Sequence, residues 1–317
     1  MKKLTFILSI LLSVTMFSCS GNEEVIEDSN PKPIINLNHE SNDAWQELFA
    51  STEQLNWEFH ENYGYKTTRG PILPWLKKIW DKIKDTVVAD AASAVKGYAG
   101  TGTAEGAVVC GVLGSIVHVI SKESVDSVSL RRIPACNNYT LTYNSLSNTV
   151  ISDSCGLVPL DSAGYMHNKV VIEMFNDNPN SFYAGLNDCD TLLSNVCDYY
   201  SYETNYSSSS LYGTLHNATI INNIYNTVRS NPTNVYPAFL NMAGVDTECL
   251  HFVNDYIENI SEMSDLQVLN TYTEHILNKI LRSNVASSEK EAMKAGVLVA
   301  RSSMALWIEY YNMVGEL

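Results

Sequence analysis

Small residues recur at every fourth position through one stretch of this chain, and that spacing constrains the fold more than any other feature. Ala99, Thr103, Ala107, Gly111 and Ser115 make one stripe, and Gly102, Gly106, Cys110 and Gly114 make a second beside it. Residues four apart stack on one face of an α-helix, so residues 86–120 are expected to hold a wide, flat, small-faced helix. Each glycine weakens a lone helix by about 1 kcal/mol relative to alanine. Such a helix therefore needs a partner that comes close, as small-faced pairs do in membranes. A bilayer crossing needs about 20 apolar residues, and the uncharged part, Gly106 to Ile120, is shorter. Extending it meets Glu105, Lys96 and Asp90, each costing about 2.5 to 3.5 kcal/mol at a bilayer centre. A helix buried in a globular domain is the better expectation. The C-terminal segment offers a mate, with Ala292, Gly296 and Ala300 at the same spacing and Ala295 and Ser303 beside them. That helix is expected to open near Ser287 or Ser288 with Glu289 and Glu291 in its first turn, and the two small faces are expected to pack together.

The N-terminus carries a different signal. Lys2 and Lys3 precede a largely apolar run from Leu4 to Phe17, followed by Ser18 and Cys19, the pattern of a secretion signal. Met16-Phe17-Ser18-Cys19 resembles the lipobox of bacterial lipoproteins. The resemblance implies removal of residues 1–18, a lipid on Cys19 and membrane attachment through it. From Ser20 to Asn62 ten acidic residues face one Lys32, and residues 19–40, with Pro31 and Pro33, read as a solvated tether. The acidic residues directly after Cys19 resemble the export tag of Bacteroidota lipoproteins, which implies the cell envelope and its outer membrane.

Six further cysteines, at 110, 136, 155, 189, 197 and 249, would then sit where disulfides form. Six thiols allow 15 pairings. Cys136 and Cys155, flanking a short Thr/Tyr/Val-rich stretch, are the best pair. Cys189 and Cys197 on one helix would lie about 12 Å apart, too far to bridge.

The remaining chain reads as mainly α, a multi-helix bundle-like domain over 41–317 with possible sub-units 41–135 and 156–317. A short β-hairpin or extended insertion is expected near 139–151, where Thr, Tyr, Leu and Val alternate around Asn144-Ser145. Trp45, Leu48, Phe49, Leu55 and Phe59 predict an amphipathic helix from Asp43 to Asn62 behind Asn42. Residues 66–84 are basic, and Leu76, Ile79, Trp80, Ile83 and Val87 share one apolar face. After Pro159, helices are expected with a Ser/Tyr-rich loop at 200–210, breaks at Pro179, Pro232 and Pro237, and long helices at 246–261 and 265–282.

Chemistry is sparsely marked. A formal charge of -15, with 20 basic against 35 acidic residues, disfavours nucleic acid, whose binding needs clustered Lys and Arg. No phosphate loop, dinucleotide fingerprint, HExxH or zinc-type Cys/His spacing implies a cofactor or metal; His251 and Asp255, one helical turn apart, make a weak metal pair. The one recurring motif is GxxHN, at Gly164-Tyr-Met-His167-Asn168 and again at Gly213-Thr-Leu-His216-Asn217. If the two pairs His167/Asn168 and His216/Asn217 converge, their imidazoles could serve as acid, base or ligand. The plainer reading has each pair satisfying backbone groups at a helix start or a tight glycine crossing. The leading functional expectation is a lipid-anchored binding or structural protein, attached to the membrane through its N-terminal lipid, its protein or glycan partner unknown. Behind it stand a membrane-active or self-associating protein using residues 74–120, and a hydrolytic or metal-dependent enzyme built on the GxxHN pairs.

Overall fold

A computed structural model describes residues 37–63, 72–126, 160–177, 188–216, 218–242, 247–261 and 266–314. Eleven α-helices account for nearly all of them, and no strand occurs among the described residues. In chain order they are α1 (Leu37–Tyr63), α2 (Ile72–Thr101), α3 (Ala104–Asp126), α4 (Ala163–Asp177), α5 (Cys189–Thr204), α6 (Ser208–His216), α7 (Thr219–Ser230), α8 (Val235–Leu240), α9 (Thr247–Ile260), α10 (Leu266–Arg282) and α11 (Ser287–Val314). A single 3-10 turn, Leu160–Ser162, leads into α4. The fold is thus mainly α, with residues 39–317 forming one unit. The expected hairpin at 139–151, Cys136, Cys155, Cys19 and Asn217 all lie outside the described residues.

The glycine-rich stretch is the centre of this unit, but not as one helix. It breaks at Gly102 and Thr103 into α2 and α3, which fold back on each other. Gly102 has φ +69°, a conformation that costs glycine nothing, and its N–H closes α2 on the Tyr98 carbonyl. Thr103 then caps α3, its hydroxyl accepting from the Gly106 N–H at 3.1 Å, so the turn carries both a C-terminal and an N-terminal helix signal. Small residues expected on one face consequently look at one another across the hairpin. A Cβ on Gly97 would come within 2.5 Å of the Cys110 Cβ, and one on Gly114 within 2.6 Å of the Ala89 carbonyl oxygen.

This changes the expected pairing. The small face of α11 packs mainly on α2, with Gly296 against Val95, and meets α3 only locally, where Gly111 faces Val299. The pairing with α11 is therefore made chiefly by α2, which carries residues 86–101 of the small-residue stretch, and only locally by α3. The physical reason is that α2 presents Ala89, Ala92, Val95 and neighbours buried on every side, so it offers small surfaces to both.

Around this centre, α4 packs on α3 and α11, α7 on α2 and α3, and α9 on α2 and α11. Helix α1 buries Trp45, Leu48, Leu55 and Phe59 as its spacing implied, but it opens at Leu37, so residues 37–40 belong to the helix rather than the tether and Asn42 lies inside it instead of capping it. Its Phe59 meets Tyr272 of α10 edge-on at 5.2 Å between ring centres, and its Phe49 lies 5.9 Å from Phe252 of α9. Two expected breaks shrink. The Ser/Tyr-rich loop is only residues 205–207, with Asn205 left-handed at φ +55°. Pro237 lies inside α8, within the first turn where its missing N–H has no intrahelical acceptor to lose.

Candidate functional site

Two places gather polar chemistry, one sealed and one open. The sealed one lies where α2, α3, α4 and α11 meet. Gly164, at the start of α4, lets that helix touch α11: a Cβ there would overlap the Leu298 carbonyl oxygen and the Ser302 hydroxyl. One turn later, on the same face, Asn168 donates through Nδ2 to the Ser302 carbonyl at 2.7 Å. That bond fixes the amide so that Oδ1 accepts from His167 Nδ1 at 2.9 Å, and the imidazole presents Nε2 to the Ser115 hydroxyl at 3.2 Å and to Asp90 Oδ2 at 3.6 Å.

Asp90 is the hub. Its Oδ2 accepts from the Ser303 hydroxyl at 2.5 Å and the Trp307 indole N–H at 3.4 Å, while Oδ1 has no hydrogen-bond partner among the described residues. Burial pushes the Asp90 carboxyl up, and the opposing pull of His167 and of hydrogen bonds from Ser303, Ser115 and Trp307 does not cancel it. The order Ser115, His167, Asn168 has the connectivity of a hydrolytic relay of hydroxyl, imidazole and amide. Yet Asp90, Ser115 and His167 are all 0% exposed, so no substrate carbonyl can reach the hydroxyl. What the array does chemically is tie four helices together through a connected set of buried hydrogen bonds.

A second buried imidazole works the same way. His118 on α3 takes a hydrogen bond at Nδ1 from Thr86 of α2 at 3.0 Å and donates from Nε2 to the Pro232 carbonyl at 2.8 Å, which fixes a neutral tautomer. Burial lowers its pKa to about 4. Nearby in sequence, Lys96 is fully buried and donates to the Met242 carbonyl at 3.2 Å; desolvation lowers its amine to about 8.

The second GxxHN occurrence behaves differently. His216 closes α6 rather than opening a helix. It is exposed, stacks on Tyr212 at 4.9 Å and approaches Asp190 at 3.2 Å. Gly213 has open space around it. His167 is fully buried and His216 exposed, and the two share no partner among the described residues, which leaves convergence, the alternative to a separate structural role for each pair, without support. The echo is of letters, placed at opposite ends of two helices. His251 lies on the surface against the Tyr236 hydroxyl at 2.5 Å, and no group of three metal-type side chains occurs among the described residues. Cys189 and Cys197 share α5 and form no disulfide among the described residues, nor does Cys110, while Cys249 donates to the Glu289 carbonyl at 3.7 Å.

Sequence reasoning missed Asp90 as a hub, together with Ser115, His118, Ser303 and Trp307. One signal was present: Asp90 and His118 are polar interruptions in otherwise apolar runs. The first was weighed only as an obstacle to membrane insertion.

The open place is a groove of about 430 Å³ between α1 and α10. Leu48 floors it, Glu47 and Ser51 line the α1 side, and His275, Lys279 and Arg282 line the α10 side at positions that share one helix face. Compared with family models, with curated proteins and with solved structures, the chain matches none of them.

Proposed function

We propose that this chain is an exported, lipid-anchored cell-envelope protein whose helical domain serves a binding role. The anchoring half rests on the sequence: the basic start, the apolar run, Ser18-Cys19 and the acidic tether. The binding half is carried by one observation, the contrast between the two polar places. The array with catalytic connectivity is closed to solvent, whereas the accessible groove presents hydrogen-bond donors, cations and one apolar side chain, the mixture by which ligand sites orient what they hold.

The membrane-active alternative is less well supported, because it asks the α2–α3 hairpin to leave the core. Ile79, Ile83 and Val87 are buried inside the bundle, as is 94% of the apolar span Ala104–Lys122. Mass spectrometry of the mature N-terminus tests the anchor directly. The expected species begins at Cys19 and carries acyl chains; an unmodified N-terminus, or one that retains residues 1–18, refutes it.

A further inference from the structure

The α1–α10 groove combines features that together select a ligand class. Several cations elsewhere among the described residues are ion-paired: Lys84 meets Glu258 at 2.5 Å, Lys294 meets Asp161 at 2.6 Å, and Lys169 meets Glu203. Lys279 and Arg282 differ. Neither side chain has an ion pair or hydrogen bond among the described residues, and both face the groove.

A structural duty for this pair would be to neutralise the carbonyl end of α10, but three of its last four carbonyls already have other donors. Ser283 donates from its N–H to the Lys279 and Ile280 carbonyls and from its hydroxyl to Ile280, and Lys290 donates to the Leu281 carbonyl at 3.3 Å. Nor does the acid across the groove consume them, since Glu47 accepts from Asn284 at 3.4 Å and makes no ion pair among the described residues. Asn278 and His275 add donors around the same space, where the Ser51 hydroxyl is given to the Leu48 carbonyl at 3.0 Å, and the His275 ring is steadied edge-on against Phe59 at 5.6 Å.

We infer that the groove between α1 and α10 binds a small organic oxyanion, a carboxylate or phosphate ester, through Lys279 and Arg282. Arg282 supplies the planar fork that fits such a group in two-point fashion and Lys279 supplies a point charge. Leu48 takes the apolar part of the molecule. The assignment deepens the binding role proposed above and rests on it.

The test is titration calorimetry of the full chain in a neutral detergent, with succinate and inorganic phosphate as the two anionic probes and maltose as a neutral one. Saturable one-to-one binding of succinate or phosphate is expected, and the stronger of the two identifies which oxyanion the site prefers. Lys279→Gln and Arg282→Gln should each weaken it about tenfold, and raising salt should weaken it further. Glu47→Gln, which removes the opposing charge, should tighten it about twofold. Lys78→Gln, at an exposed lysine outside the groove, should leave it unchanged. No saturable heat from either anion up to about 10 mM, or affinity that the two cation variants leave intact, overturns the assignment. Maltose bound with both anions inert overturns it while the binding role stands; all three inert removes the groove from that role as well.

Discussion

Replacing Lys96 by methionine isolates the cost of one buried amine. Lys96 sits at 0% exposure in the C-terminal part of α2, and its side chain donates to the Met242 carbonyl at 3.2 Å. Desolvation holds its pKa near 8, against an ordinary 10.5. At about 1.36 kcal/mol per pH unit that difference is about 3 kcal/mol, and discounting for solvent screening leaves about 2 kcal/mol. Below pH 8 the amine is charged in both folded and unfolded chains, so the full cost applies. Between about 8 and 10.5 the folded chain releases its proton while the unfolded chain keeps it, so stability rises with pH.

Methionine has a similar length and no charge, but leaves the Met242 carbonyl without its donor, a loss of about 1 kcal/mol. Lys96→Met should therefore be more stable than the parent by about 1 kcal/mol near pH 7 and less stable by about 0.5 kcal/mol near pH 10. Urea unfolding of both proteins at the two pH values measures this. Buried Tyr200, Tyr256 and Tyr272, pushed upward by burial, contribute a separate alkaline loss common to both proteins, and the subtraction removes it. A stability difference that does not change between the two pH values refutes the reasoning.

Two further substitutions follow from the same contacts. His118, held neutral at about 4 against an ordinary 6.5, contributes about 3 kcal/mol that is present above pH 6.5 and lost as pH falls toward 4. His118→Gln should flatten that acid loss relative to the parent in urea melts at about pH 7 and pH 4.5. Gly164→Ala should destabilise by about 2 to 4 kcal/mol, because the new methyl meets the Leu298 carbonyl and lifts Asn168 from Ser302. Gly213→Ala, in open space within α6, should be neutral or stabilise by up to about 1 kcal/mol. Equal thermal shifts for the two alanines would mean that the two GxxHN segments share one role after all.

The helices were legible wherever a period could be counted. Helix α1 follows from Trp45, Leu48, Leu55 and Phe59, and α9 and α10 begin and end within a residue or two of the boundaries read from spacing. The turn at Gly102 was present in the letters too, but Gly102 and Thr103 also fit two helical stripes, and spacing cannot tell a continuous face from a face folded on itself. The site was less legible. His167 and Asn168 stood out only because their letters recur, and the recurrence itself misled: His216, with the same neighbours, ends its helix at the surface. Lys279 and Arg282 attracted no notice, since unpaired cations are visible only when their surroundings are known.

By itself the sequence determined the helical class, the small-residue demand for close packing, and the features from which export and a lipid anchor are proposed, because these are local properties of period and composition. The tertiary structure decided which small faces meet, that Asp90 and His167 are sealed together, and that two cations share one groove. Those depend on side chains distant in the chain becoming neighbours: Asp90 and Ser303 touch across more than two hundred residues, and no periodicity carries that information.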